Sequence, residues 1–501
     1  MAWPIWRSGL GWWDICEVVA VLAVMLRVAW RRGRGQSVLE DFCLGGRSLP
    51  WWAAGCGFLA AEISVITVVG APALSFRDNW NYAQFFFGSA LARLAIAFVF
   101  IPALFQARCS TVYGFLRLRL GPGSQYAAAG LFFFARSAIS GVRLLAAALA
   151  VSMLSGWPVG LVMVLFCVAA ALYIGYGGLP AVVWTGVVQV AAVAAGGLAV
   201  LAFLLWRIDG GVSTIWELAG GAGRLDLLDW GPSWPAPGFW ASFFFDPNTV
   251  WAAVLGGSVS SLAAFGADHE MMQKLMSTST EQDSRRAVLY SILGSFVVMV
   301  LFLSIGSGIY TYYAANTGLV LPDKADKILQ HFVLTEMPDG LRGLVLAAVI
   351  MAAIDLPLAA MAAVFVQDIY RPLIRPEADE RHYMLAARWA VAGSALLLGL
   401  GAYYLSVFDS NIGLAFRIGG VALGPLLGVF LLCFRPGRSS DRSNVAAMLI
   451  MTGLCLGLLS LSEAWLLPLG WSWLVLFGTV GTAVLSDGLG RIAVFGAGGR
   501  G

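Results

Sequence analysis

Runs of about 20 apolar residues recur along this chain, separated by short polar stretches. That length crosses a ~30 Å hydrocarbon core as an α-helix. The pattern predicts spans at 13–30, 50–75, 81–105, 126–154, 158–176, 182–206, 248–266, 287–312, 342–366, 386–407, 412–434, 445–462 and 468–487. The fold class is therefore an all-α integral membrane protein with about 13 transmembrane helices. Composition agrees. Only 12% of the 501 residues are charged, against roughly 25% in a soluble domain, and 59% are hydrophobic. So little charge would not cover a soluble surface of this size.

Charge sorts the loops. The first apolar run is followed by Arg31, Arg32 and Arg34. A cleaved signal carries its charge before the apolar core, so this run is expected to stay as a helix with its N-terminus outside. The resulting topology puts 18 Lys and Arg in cytoplasmic segments, 6 in external ones and 7 inside spans. Positive charge favours the cytoplasmic side, so a multi-pass protein of the cell membrane with a cytoplasmic C-terminus is expected. Trp12, Trp13, Trp51, Trp52, Trp206, Trp251, Tyr312, Trp471 and Trp473 gather at span ends, where amphipathic rings anchor at the headgroups. Two external loops are long, 207–247 and 313–341. In the first, Thr214-Ile215-Trp216-Glu217 has the shape of a capping box opening a short surface helix.

The net charge of +3 gives no reason to expect a nucleic-acid partner. The seven cysteines form no disulfide framework in the external loops. No GxSxG elbow, phosphate loop or HExxH zinc motif stands in a catalytic setting. The chain is not expected to be an enzyme, and the lipid bilayer is its expected surrounding.

Charges at membrane depth are costly and usually face a bundle interior or water. Glu62 and Asp355 are two such carboxyls. Each either serves transport or pairs with an arginine that locks the bundle. Arg136 and Arg143 lie two helical turns apart, hence on one face. A guanidinium there either clamps a substrate carboxylate or bridges to Glu62 or Asp355. Arg93 and Arg417 read as interior ion pairs or snorkelling side chains. Gln84 and Gln189 suit bonds between helices. Ser258, Ser260 and Ser261 become substrate candidates if the Gly256-Gly257-Ser258 step breaks its helix; otherwise the glycine pair serves close packing. Asp268, His269 and Glu270 read as a helix end or gate at the cytoplasmic end of their span.

Several stretches resemble the sodium/solute symporter family in order. Phe42-Cys43-Leu44-Gly45-Gly46-Arg47-Ser48-Leu49-Pro50-Trp51-Trp52 looks like the entry to its first core helix, with Ala60-Ala61-Glu62-Ile63-Ser64 inside it. Tyr176-Gly177-Gly178-Leu179-Pro180 resembles the turn into the fifth, and Phe265-Gly266-Ala267-Asp268 the end of the sixth. Asp368-Ile369-Tyr370-Arg371-Pro372 follows the eighth, and Gly424-Pro425-Leu426-Leu427-Gly428 lies in the tenth. The match runs from about 40 to 435.

The resemblance implies a five-plus-five inverted-repeat transporter core whose first helix in each half is broken near midplane, freeing backbone groups for ion and substrate. The expected division is 1–39 for an extra helix and basic linker, 40–206 for the first repeat, 207–247 for an external loop, 248–435 for the second repeat and 436–501 for two trailing helices and a tail. The family's usual sodium site, carried over, falls on the carbonyls of Ala60 and Ile63 and on side chains 352 and 353. Those are Ala352 and Ala353, and an alanine offers no oxygen to a hard cation. An acidic residue common in the fifth helix is Gly186 here.

The expectation is alternating-access transport of a small polar or anionic organic solute, with no cofactor and with sodium or a proton as coupling ion. Candidate substrate residues are Glu62, Arg143, Ser258 and Ser261. Candidate ion-site residues are Ala60, Ile63, Ala352, Ala353 and Asp355. The competing reading is a non-transporting membrane sensor or scaffold derived from such a carrier.

Overall fold

The apolar runs are helices in the computed structural model, which describes residues 11–246, 248–407, 412–435, 439–464 and 469–498. Among the described residues, eight helices are long and apolar enough to cross a membrane: Asn81–Ala107, Pro122–Ser155, Val159–Arg207, Glu281–Ala315, Leu341–Leu373, Glu380–Val407, Asp441–Glu463 and Trp471–Arg491. The pair Trp51–Glu62 and Thr67–Arg77, bent by 63°, makes a ninth if it is one span. Ala252–Ala267 and Arg417–Leu432 are shorter apolar helices. Among the described residues there is no strand, and Leu49 meets Thr278 in an isolated bridge. The chain is a multi-pass membrane protein.

Val159–Arg207 is wound as one run of 49 residues. At 1.5 Å per residue a straight helix of that length would reach about 74 Å, far beyond one bilayer. Gly178 resolves this. Its φ of 53° and ψ of −150° turn the chain inside the run, and an added Cβ would meet the Phe42 carbonyl oxygen at 2.5 Å. Pro180 follows and cannot donate to a continuing helix.

Three further breaks set up the site. Trp51–Glu62 ends at Ile63, whose φ/ψ of −73°/101° is extended. Ala252–Ala267 stops at Asp268 (φ −84°, ψ 128°), which opens His269–Met276. Leu341–Ile354 stops at Asp355, and Leu358–Val364 resumes after Pro357.

The second of these decides between the two readings of the glycine pair upstream of it. Gly256-Gly257-Ser258 is helical, with Gly256 at −65°/−41° and Gly257 at −63°/−37°. The glycines are contact points. A Cβ on Gly256 would strike Ser472 at 2.7 Å and one on Gly257 would press on Phe85 at 3.2 Å. Small residues let membrane helices approach this closely. The discontinuity comes at Asp268, where one helix ends and His269–Met276 begins.

The N-terminal helix Trp12–Arg32 is tied to the core by Asp14, which is fully buried. Its carboxylate accepts from the backbone N–H of Gly340 (2.7 Å) and Gly343 (2.8 Å) at the start of Leu341–Ile354, where the helix dipole favours negative charge. Outside the spans, the loop 207–247 does hold a short helix, but it opens at Val212, and Thr214 donates to the Asp209 carbonyl (2.6 Å) instead of forming a capping box. Phe239–Phe245 adds an aromatic helix against Trp473. Trp473 is buried and donates to the Phe243 carbonyl, so it packs a loop rather than anchoring at a lipid surface.

Candidate functional site

The breaks at 63–65 and 355–357 converge, with Glu270 of the second half-helix, on one small cavity. It is lined by Ala60, Ala61, Ile63, Ser64 and Val65 from the first break, Ser140 and Arg143 from Pro122–Ser155, and Ala352, Ala353, Asp355, Leu356 and Pro357. Its volume of about 10 Å³ holds one water-sized particle. Five residues that sequence reasoning singled out for an ion (Ala60, Ile63, Ala352, Ala353 and Asp355) thus meet in space, and Arg143 meets them.

Of the oxygens the family resemblance assigns to sodium there, the two carbonyls each already accept one hydrogen bond and the two side-chain hydroxyls are missing. Gln189 Nε2 donates to the Ala60 carbonyl (3.0 Å) and to the Ile63 carbonyl (3.2 Å). Two acceptors fix the amide with its NH₂ end toward the break. The Ala352 and Ala353 methyls contribute no ligand. Gly186 has a packing reason: a Cβ there would meet Gly57 Cα at 2.9 Å and Ala60 Cβ at 3.1 Å. No carboxylate side chain fits between these helices as they stand. Hard cations exchange a hydration shell for several oxygens, so the usual sodium position does not fit sodium with these residues.

Beside the cavity runs a buried ionic cluster. Arg136 Nε lies 2.6 Å from Asp268 Oδ2, and its Nη1 lies 2.5 Å from Glu270 Oε2. Lys274 Nζ stands 3.5 Å from Glu270 Oε1 and 3.4 Å from Asp355 Oδ2. Arg136, Asp268, Glu270 and Lys274 are each at most 4% exposed. Asp268 also caps His269–Met276, accepting from the Glu270 N–H at 2.9 Å, the role expected of an N-cap aspartate. Arg143 differs from Arg136. Its Nη1 donates to the Ala61 carbonyl at 3.0 Å, and its buried Nε has no hydrogen-bond partner among the described residues.

Several expected pairings are corrected. Arg136 bridges to Asp268 and Glu270, not to Glu62 or Asp355. Glu62 pairs with Arg93, which is fully buried, and accepts from Ser295 Oγ at 2.5 Å. The Arg93 guanidinium lies 5.0 Å from the Phe265 ring centre and 5.6 Å from that of Phe58, so cation–π contacts hold it too. Glu62 does not line the cavity. Ser258 and Ser261 do not either, because the helix that carries them is unbroken at that level, and Ser258 Oγ bonds back to the Val254 carbonyl within its own helix. Ser140 was missed as a candidate; its buried hydroxyl has no hydrogen-bond partner among the described residues. Lys274 lies between the predicted spans 248–266 and 287–312 and so outside every apolar run. The run His269-Glu270-Met271-Met272-Gln273-Lys274 after an Asp N-cap is the signal that would have placed it on a helix.

Comparison with known proteins follows this geometry. A family profile described as Sodium:solute symporter family matches residues 42–450. The chain is 25% identical over 450 residues to a sodium/sialic acid symporter of Proteus mirabilis, covering 88% of each. It is 26% identical over 457 residues to the human sodium/iodide cotransporter, covering 86% of this chain and 68% of that one. It is 26% identical over 430 residues to human sodium-coupled monocarboxylate transporter 1, with 84% and 68% covered. Among solved structures, a substrate-bound, outward-open Na⁺-coupled sialic acid symporter superposes with a TM-score of 0.84 at 22% identity, covering 96% of this chain and 98% of that one.

Proposed function

Starting from a chain that belongs to the sodium:solute symporter family and is a secondary transporter, we propose that it moves a small polar or anionic organic solute by alternating access, with Arg143 as the group that meets the solute. One observation carries this reading. Arg143 lines the cavity between two helix breaks and keeps a buried N–H without a partner, whereas the neighbouring Arg136 is committed to two carboxylates. A guanidinium with spare donors suits a carboxylate or a cluster of hydroxyls. The Ser64 and Ser140 hydroxyls lie on the same wall.

The supporting frame is a core of five plus five helices, 40–206 and 248–435, within about 13 spans, flanked by 1–39 and 436–501 and with 207–247 as an external connection. The N-terminus is outside and the C-terminus cytoplasmic, as the lysine and arginine bias favours. A cavity of about 10 Å³ admits no organic solute. Solute entry therefore requires the broken helices to separate, as alternating access around a midplane site does. The named relatives are sodium-coupled, which makes sodium the first coupling ion to consider here. Sialate, iodide or monocarboxylate, the cargoes in those names, make an anion the first solute class to try.

The test is counterflow in proteoliposomes with a panel of carboxylates, amino acids and sugars. Flux of at least one solute is expected. Arg143→Met is expected to lower it by about 1.5–3 kcal/mol of binding, the value of a hydrogen bond to a charged group, or roughly tenfold or more in affinity. Unchanged affinity in a folded Arg143→Met protein would remove Arg143 from the solute site.

A further inference from the structure

We propose that Lys274 is a built-in cation standing in for a coupling sodium ion, so that transport by this chain needs no sodium. The inference rests on the transporter reading above. Three observations point the same way. First, the position that the family resemblance gives to sodium has no free set of oxygens: its carbonyls accept from Gln189 and its side-chain positions are Ala352 and Ala353.

Second, a positive charge is already present on the neighbouring wall. Glu270 and Asp355 line both the central cavity and an adjoining one of about 10 Å³, and Lys274 lines the second. The ammonium lies between the two carboxylates at 3.5 and 3.4 Å. It thereby joins the second broken helix to the helix broken at Asp355, a cross-helix tie between the moving parts of the core. A tethered cation needs no dehydration on each cycle and does not leave.

Third, charge balance is complete without an added ion. The groups facing one another here are Arg136, Arg143 and Lys274 against Asp268, Glu270 and Asp355. A sodium ion entering this cluster would be an uncompensated buried charge, which is strongly disfavoured. The other side-chain oxygens on the cavity wall belong to Ser64, Ser140, Asp355 and Glu270, and the two carboxylates already face the Lys274 ammonium. A polar, uncharged solute leaves this balance intact, and Arg143 has an unused donor for it.

The experiment uses the purified full-length protein with sodium alone as probe. Melting temperature in sodium chloride is compared with choline chloride at equal ionic strength, and radioactive sodium binding with that of empty vesicles. The expected result is no sodium-specific shift and no saturable binding. A saturable sodium response in the wild type, especially one removed by Ser140→Ala, overturns the inference. Lys274→Met leaves the cluster one positive charge short and is expected to gain a sodium-specific rise in melting temperature. Lys274→Gln serves if that variant does not fold, and Lys274→Arg should stay sodium-blind. Folded neutral variants that gain no response overturn the assignment of Lys274. Counterflow separates this from the parent reading. Flux that demands sodium keeps the transporter and defeats the inference. Flux without sodium in a sodium-blind chain supports both readings, and a folded chain that moves no solute in any condition overturns the parent reading and the inference with it.

Discussion

The first and second broken helices solve opposite problems. The break after Glu62 is the C-terminal end of a half-helix, so it leaves carbonyls without N–H partners. The break at Asp268 ends one half-helix, whose Ala267 carbonyl accepts from Tyr113 Oη at 3.4 Å, and starts another, whose first N–H groups lack helical acceptors. The helix dipole puts partial negative charge at the first end and partial positive charge at the second. Side chains follow that polarity. The first break receives donors from other helices: Gln189 on the Ala60 and Ile63 carbonyls and Arg143 on the Ala61 carbonyl. The second carries its own acceptors, Asp268 and Glu270. Two ionised carboxylates buried together then require Arg136. One break is thus held by borrowed neutral and cationic donors, the other by local anions and a matching cation. The stability of the second should depend far more on charge.

Arg136→Ala is the most damaging way to test this. It removes the guanidinium that contacts both carboxylates of the second break. Breaking a buried pair from one side costs about 3–5 kcal/mol, and thermal unfolding in detergent is expected to show a loss of that size. Arg136→Lys should recover only part, since an ammonium cannot place two parallel donors. A near-wild-type melting temperature for Arg136→Ala would mean that the second break does not depend on ionic balance, and the contrast would fail.

Gln189→Leu probes the other side. It leaves two buried carbonyls without their donor, and an unsatisfied buried acceptor costs about 1–3 kcal/mol. The expected loss is therefore smaller than that of Arg136→Ala, measured in the same unfolding assay. If the two losses were equal, charge would not distinguish the breaks.

The same contrast explains what the sequence disclosed. Long apolar windows predicted the helices, because lipid exposure forces a run of uniform hydrophobicity that needs no partner to be read. The first break was legible through the resemblance around Ala60 to Ser64. For the second, the sequence leaves Gly256 and Gly257 open between a break and close packing, and the structure takes the packing. A glycine pair looks the same whether it frees backbone or admits a neighbouring helix, and only the positions of Ser472 and Phe85 separate the two. In the sequence Arg136 is either a solute clamp or a bridge to Glu62 or Asp355; the partners it takes, Asp268 and Glu270, lie more than 100 residues away. Glu62 and Arg93 were each noticed and not joined, for the same reason. Lys274 was invisible because the apolar run stops at 266. A buried, paired lysine makes its segment look like a loop, and the neutral total of the cluster is a property of three dimensions.

Asp268 offers the finest division, since it both caps a helix and balances Arg136. Asp268→Asn removes the charge and keeps a side-chain oxygen that can accept from the Glu270 N–H. Asp268→Ala removes both. The shared part of the two losses reports the ion pair, and the difference between them reports the cap. Asn and Asp are nearly equal as N-caps, and replacing either by Ala costs about 0.5–2 kcal/mol. Asp268→Ala is thus expected to fall below Asp268→Asn by about 1 kcal/mol, measured as the gap between their unfolding free energies. Equal stabilities would show that the cap contributes nothing beyond the charge. The second break would then be anchored by Arg136 alone, and the parallel between borrowed donors at one break and local acceptors at the other would reduce to a single ion pair.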